Sequence, residues 1–300
     1  MYARIPFLAV LLWTATQVHH LRADILRWDT LQTIPGTEGI YAGPGVVLDH
    51  RALSFADLSS FNLKNAQFNS SNLTNARVSE SLLIDANFAD AIMTGTNLNR
   101  ATTWGFEFSQ LASTASYQAR DLRLIQLAQN DLTGWDLSNQ NLTNANLSSS
   151  TLTDAQLAGA IVTGARFADT TSRGLTEAML SSTASFQAKN LRGIQLEDND
   201  ISGWNLSGQD LSQANLTGAI LTNANLSGTT FAYANLSFST LSGANVSRAV
   251  ITNANLSNST LSYAQLASTI NFQANDLHGI DLSANSMQGW ELRGLDFTHA

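Results

Sequence analysis

Along most of the chain an apolar residue returns every five positions. The stretch "ANLTGAILTNANLSG" at 214–228 shows the pattern plainly. Five is neither the 3.6-residue period of a helix nor the two-residue period of a strand. The apolar centres run in unbroken steps of five through 48–98, 122–167, 191–266 and 277–297, 42 centres in all, and every one is apolar. Two residues before the centre the side chain is usually small, as at Ala145, Ala155, Ala160, Ala165, Ala214, Ala219, Ala224 and Ala234. Between them stands Asn or Asp, and Ser or Thr usually follows, so the unit reads Ala-Asn-Leu-Ser-x. Alternate residues of an extended segment share a face. The pattern therefore predicts that each unit makes one side of a square coil, with the centre and the small residue turned inward. Leu137, Leu206, Leu216, Leu226, Phe231 and Leu256 are then core residues. Asn, Ser and Thr face water or occupy the turns, where their side chains bond nearby backbone. One coil cannot bury its own core, but stacked coils can.

The register breaks three times, and the same text follows each break. "LASTASYQARDLRLIQLAQNDLTGWDLS" begins at Leu111, "LSSTASFQAKNLRGIQLEDNDISGWNLS" at Leu180 and "LASTINFQANDLHGIDLSANSMQGWELR" at Leu266. Within the second copy, "GLTEAMLSSTASFQA" reads as a short helix with Thr176 as its cap. The third copy lacks the extra residues that precede the first two. The pattern thus predicts coils at 46–98, 122–167, 191–266 and 277–300, with insertions at 99–121 and 168–190 and a short one at 267–276. Residues 24–45 lack the register, contain Pro35 and Pro44, and read as a lead-in that partly covers the first coil. Residues 1–23 read as a signal peptide, with Arg4, an apolar run from Ile5 to Trp13 and a polar stretch to Ala23. A buried terminal strand is the alternative. The nine apolar residues are too few to span a bilayer as a helix. The expected location is therefore secreted or periplasmic, with no membrane span after cleavage.

The units "ANLTG" and "ANLSG", and the run "NANLSNSTLSYAQL", resemble the pentapeptide-repeat family, whose motif is A-(D/N)-L-x-x. The resemblance covers roughly 46–98, 115–167, 187–266 and 275–297. It implies an all-β fold, a right-handed quadrilateral parallel β-helix with four units per coil and short helical or loop insertions. About ten coils at ~4.8 Å each would make a solenoid roughly 50 Å long. The duplicated module is similar to one in exported bacterial members of the family.

Composition narrows the function. Net charge is −8 with only 13% charged residues, which argues against a nucleic-acid surface built from clustered Lys and Arg. There is no cysteine, which excludes disulfides and thiolate sites. His50, His278 and His299 are scattered without ligand spacing, and His19 and His20 lie in the signal segment, so no metal site is expected. Glu197, Asp198 and Asp200 form a small acidic cluster, read as a solvated turn. "GTEGIYAGPG" has neither the Lys nor the helix of a phosphate loop. No Ser or Thr has a His–Asp partner, so neither catalytic residues nor a cofactor is expected.

Three tryptophans stand two before their centres, where Ala is usual: Trp135, Trp204 and Trp290. Each follows an aromatic, Tyr117, Phe186 and Phe272 respectively, at one and the same interval. This reads as an aromatic clamp at each break, or alternatively as a repeated shelf for a sugar or partner. Phe297 is a repeat centre close to the last residue, so the final coil is expected to be exposed, truncated or docked on another chain. The reading of function is an exported, non-enzymatic scaffold or protein-interaction solenoid. Its partner is an unknown protein, or a second copy met through the exposed C-terminal coil. The alternatives are a DNA mimic that binds topoisomerase, as some family members do, and a ligand binder or enzyme that uses the insertions.

Overall fold

The computed structural model describes residues 24–300, so the expected signal peptide lies outside the described residues. The described residues divide into two compact units, the first ending at Leu132 and the second running Thr133–Ala300. Among the described residues no β-strand forms. The regular elements there are eight short helices: two 3₁₀ helices, Ala101–Trp104 and Thr171–Arg173, and six α-helices. The α-helices come in pairs: α1 (Phe108–Ala112) with α2 (Ala115–Gln118), α3 (Glu177–Ser181) with α4 (Ala184–Gln187), and α5 (Tyr263–Ala267) with α6 (Ile270–Gln273). The expected all-β class, the right-handed quadrilateral parallel β-helix and the solenoid drawn from it are corrected by this finding.

The physical reason lies in the repeat itself. Each five-residue unit supplies one bridging residue and then turns. Its turn residue takes a positive φ near +60°, as at Asn65, Asn75, Asn144, Asn223 and Asn253. Left-handed backbone every fifth residue leaves no run long enough to pair as a strand. The extended contacts are isolated bridges, mostly parallel and mostly at one constant separation, as in Asn215 with Asn235 and Asn235 with Asn255. At the helix pairs the bridged residues stand further apart in sequence, as in Asn97 with Gln126, Arg166 with Gln195 and Asn255 with Asp281.

In the first unit, residues 24–45 lie against the first repeats. Leu26 pairs antiparallel with Thr33, and Arg27 with Ala56. Trp28 anchors the segment: its Nε1 donates to Asn75 O at 2.7 Å, and the Arg77 guanidinium lies 4.1 Å from its ring centroid. Inside the unit, Phe68 and Phe88 stack at 5.0 Å and Phe106 meets Phe88 edge-on. In the second unit Leu137, Leu206, Leu216, Leu226, Phe231 and Leu256 are all buried.

The single helix expected at 174–188 is two. Thr176 Oγ1 accepts from Met179 N to cap α3, and Thr183 Oγ1 accepts from Phe186 N to cap α4. In the third copy the helices begin at Tyr263, ahead of the expected insertion, and Leu266, expected as the last centre of its block, is buried but helical.

Candidate functional site

The side chains that carry specific chemistry cluster at the helix pairs. The apolar centres between them are uniform. An outward Asn accepts the backbone N–H two residues on, as Asn235 does from Ser237 at 3.0 Å and Asn255 from Ser257 at 2.9 Å. Such local bonds close a turn but reach no distant element.

At the helix pairs the bonds are long-range. Asn199 is fully buried. Its Nδ2 donates to Phe167 O at 2.7 Å, and its Oδ1 accepts from Thr170 N and Thr171 N, both at 2.8 Å. Asn130 repeats the arrangement in the first unit, donating to Leu98 O and accepting from Thr102 N. Asn285 donates to Leu256 O at 2.8 Å. Gln110 Nε2 donates to Leu83 O and Ala86 O, and Gln265 Nε2 to Leu241 O and Ala244 O. Each amide ties backbone groups together across the break in the register, adding a second donor to carbonyls such as Leu83 O, Leu98 O and Leu256 O that already accept a local N–H. Sequence reasoning passed over these residues. The signal was present, because Asn130, Asn199 and Asn285 occupy the same place in three copies of one text.

The six expected clamp residues are placed as follows. Trp135 is buried, and Tyr117, Phe186, Trp204, Phe272 and Trp290 are half-buried. In the third copy Tyr263 stands between the two rings, edge-on to Phe272 at 5.7 Å and tilted against Trp290 at 5.9 Å. In the first copy Phe108 meets Tyr117 edge-on at 5.7 Å. Phe108 and Tyr263 each open a helix, a position the sequence analysis did not single out. In the second copy Glu177 takes that place, and its Oε1 accepts from Asn205 N at 2.8 Å.

The acidic cluster separates in space. Glu197 Oε1 accepts from Asn215 Nδ2 at 2.6 Å, Asp200 holds the Ser202 N–H and hydroxyl, and Asn199 between them turns into the core. The structure brings together two histidines that are distant in sequence: His278 and His299 meet edge-on at 5.2 Å. Among the described residues no group of three or more His, Asp or Glu is arranged to hold a metal ion, and no helix is long and apolar enough to cross a membrane.

Electrostatics follow the turns. Hydrogen bonds from Arg27 lower the Asp29 pKa, and those from Arg123 lower that of Asp121. The hydroxyls of Ser202 and Thr298 do the same for Asp200 and Asp296. Asp210 is pushed up by burial, but Ser212 and Arg192 outweigh that and hold it below its usual value. Every one of these carboxyls is stabilised as the anion, the opposite of what a proton donor near neutrality needs.

A family model described as pentapeptide repeats matches in eight copies, over residues 52–82, 131–169, 190–228, 210–248 and 231–266. No curated protein matches the chain. Among solved structures it is similar to HetL, a pentapeptide repeat protein involved in heterocyst differentiation regulation, from the cyanobacterium Nostoc. Identity is 24%, over 82% of this chain and 86% of that one, at a TM-score of 0.23. QnrB1, a plasmid-mediated fluoroquinolone resistance protein, aligns at 13% identity over 85% of this chain and 90% of its own, with a TM-score of 0.31. A pentapeptide repeat protein from the Arabidopsis thaliana thylakoid lumen aligns at 28% identity over 46% of this chain and 72% of its own, with a TM-score of 0.16.

Proposed function

We propose, from the premise that this chain belongs to the pentapeptide-repeat family, that it is an exported, non-enzymatic scaffold that presents its outward side chains to a protein partner. The observation that carries the reading is the division of labour within each unit. Centres such as Leu216 and Leu226 are fully buried, while Asn215, Thr217, Asn225 and Ser227 stay half-exposed, with Asn215 and Asn225 each accepting the N–H two residues on. The result is a regular surface of short polar side chains already held in place, so little ordering entropy is lost when a partner covers them. The lowered aspartates support a binding role over an acid–base one.

The test is capture from the extracellular or periplasmic fraction on immobilised protein, with Asn225→Arg/Asn245→Arg as the control surface. The reading expects one saturable protein partner whose binding the double substitution weakens at least tenfold. Loss of all saturable capture, or capture indifferent to outward substitutions, would count against it.

A further inference from the structure

One stretch departs from the surface pattern. Tyr233 and Phe238 are 64% and 63% exposed, and both sit at turn positions with φ of +59°. Asn, Asp, Ser or Gly fills most of the equivalent turns. Bulky side chains are disfavoured in left-handed backbone, and large rings are rarely left this bare. Two at successive turns therefore point to a use.

The surroundings define that use. Asn235 lies between the two rings and is bridged to Asn215 on one side and Asn255 on the other. The Oδ1 atoms of Asn235 and Asn255 are taken by Ser237 N and Ser257 N, which leaves their Nδ2 groups as outward donors. The backbone here is already paired: Tyr233 N donates to Thr252 O, Asn235 N to Ala214 O and Phe238 N to Ser257 O. A partner strand therefore has no edge to extend. Charge here is sparse: between Asp210 and Asp276 the one charged residue is Arg248, and a carboxylate meets the amide column only where Asn215 Nδ2 donates to Glu197. An ionic ligand would find almost no counter-charge.

We propose that Tyr233, Phe238 and the Asn235–Asn255 amides form a binding surface for a neutral polysaccharide. A pyranose ring has an apolar C–H face that stacks on an aromatic side chain, and equatorial hydroxyls that accept from amide donors at the ring's edge. Two exposed rings flanking a column of amides match both features, and the lack of charge selects against uronates and sulfated sugars. The proposal does not depend on the protein-partner reading.

Native electrophoresis of the protein in gels cast with one of three neutral polymers, hydroxyethyl cellulose, laminarin or galactomannan, and in an alginate gel as the anionic control, tests this. The expected result is at least a twofold loss of mobility in one of the three gels, abolished by Tyr233→Asn/Phe238→Asn. Asn is accepted at the same turn position at Asn223, Asn253 and Asn258, so the double variant should melt no lower than the parent. Three outcomes overturn the proposal: unchanged mobility in all three gels, retardation that survives the double substitution, or retardation seen only with alginate. Concentration-dependent self-association that the double variant removes would assign the rings to a second copy instead, and would also overturn it.

Discussion

The repeats at 205–256 and the helix pair at 177–187 keep their backbones satisfied in different ways. In the repeats each bond is local or runs one constant step, as from Asn215 to Asn235, and each unit resembles the next. Leu206, Leu216 and Leu226 are buried, and Asn205, Asn225 and Asn235 close turns. At the insert that carries the helix pair the contacts are individual: Ala184 N donates to Ala160 O and Asn205 N to Glu177 Oε1. Asn199 holds Phe167, Thr170 and Thr171, all far back along the chain. The repeats have many interchangeable contacts, whereas the inserted helices depend on a few that have no substitute. Substitutions of like chemistry should therefore have unequal effects in the two regions.

The largest effect is expected at a buried centre. Leu216→Asp places an unpaired charge where no water reaches and should cost more than about 4 kcal/mol by denaturant unfolding. Its outward counterpart, Asn235→Asp, keeps the acceptor for Ser237 N and should cost less than about 0.5 kcal/mol. Asn215 is a poorer control, because its amide donates to Glu197 and Asp there would set two carboxylates together.

Next comes Asn199→Leu. It leaves the buried Thr170 N–H and the half-buried Thr171 N–H without their acceptor, while the Phe167 carbonyl keeps the Thr170 hydroxyl, and a cost of about 2–4 kcal/mol is expected, against roughly 1 kcal/mol for Asn245→Leu, which loses one local bond. Equal costs at the two sites, measured by the same unfolding transition, would erase the contrast between the regions.

A smaller effect sharpens the picture of the turns. The Asn223 Oδ1 leans over Gly243, where a Cβ would collide with it. Gly243 also has φ of +70°. Gly243→Ala should cost about 1–2 kcal/mol, part of it recovered by Asn223→Gly, which removes the collision and leaves the backbone strain. Full recovery would mean that the strain contributes nothing.

The smallest effect is in pH. The folded pKa of Asp210 lies below the ordinary 3.8, so its contribution to stability is present above that value. It is lost as pH falls through the lower folded value. Thermal stability should be flat between pH 5 and 7 as far as this group is concerned and should fall below about pH 4. Asp210→Asn should make that decline shallower, and an unchanged acid limb would show that the Ser212 and Arg192 contacts do not matter.

The two regions also differed in how far they could be read from sequence. Period five named the buried residues, because Leu206 or Leu256 needs only a site that excludes water and any apolar centre supplies one. It misjudged the class of structure, because bridging was taken to mean strands. The left-handed turn at Asn223 or Asn253 stops each bridge at a single residue. At the breaks, composition misled. Asn199 looked like part of a polar turn among Glu197, Asp198 and Asp200, yet it alone points inward, and its direction is set by the carbonyl of Phe167 and the N–H groups of Thr170 and Thr171. Tyr263 was passed over for the same reason, since its meeting with both Phe272 and Trp290 depends on where α5 begins. Local chemistry is legible in a repeat. A contact that exists because the repeat has been interrupted is not.

Amide hydrogen exchange in Asn199→Leu, compared with the parent chain, tests the contrast most directly. The account expects protection to be lost at Thr170 and Thr171 and through 177–187, while amides such as Leu216, Leu226 and Leu236 keep theirs, bonded as they are to Asn235, Asn245 and Asn255. A uniform fall in protection across both regions, or unaltered exchange at Thr170 and Thr171, would contradict it.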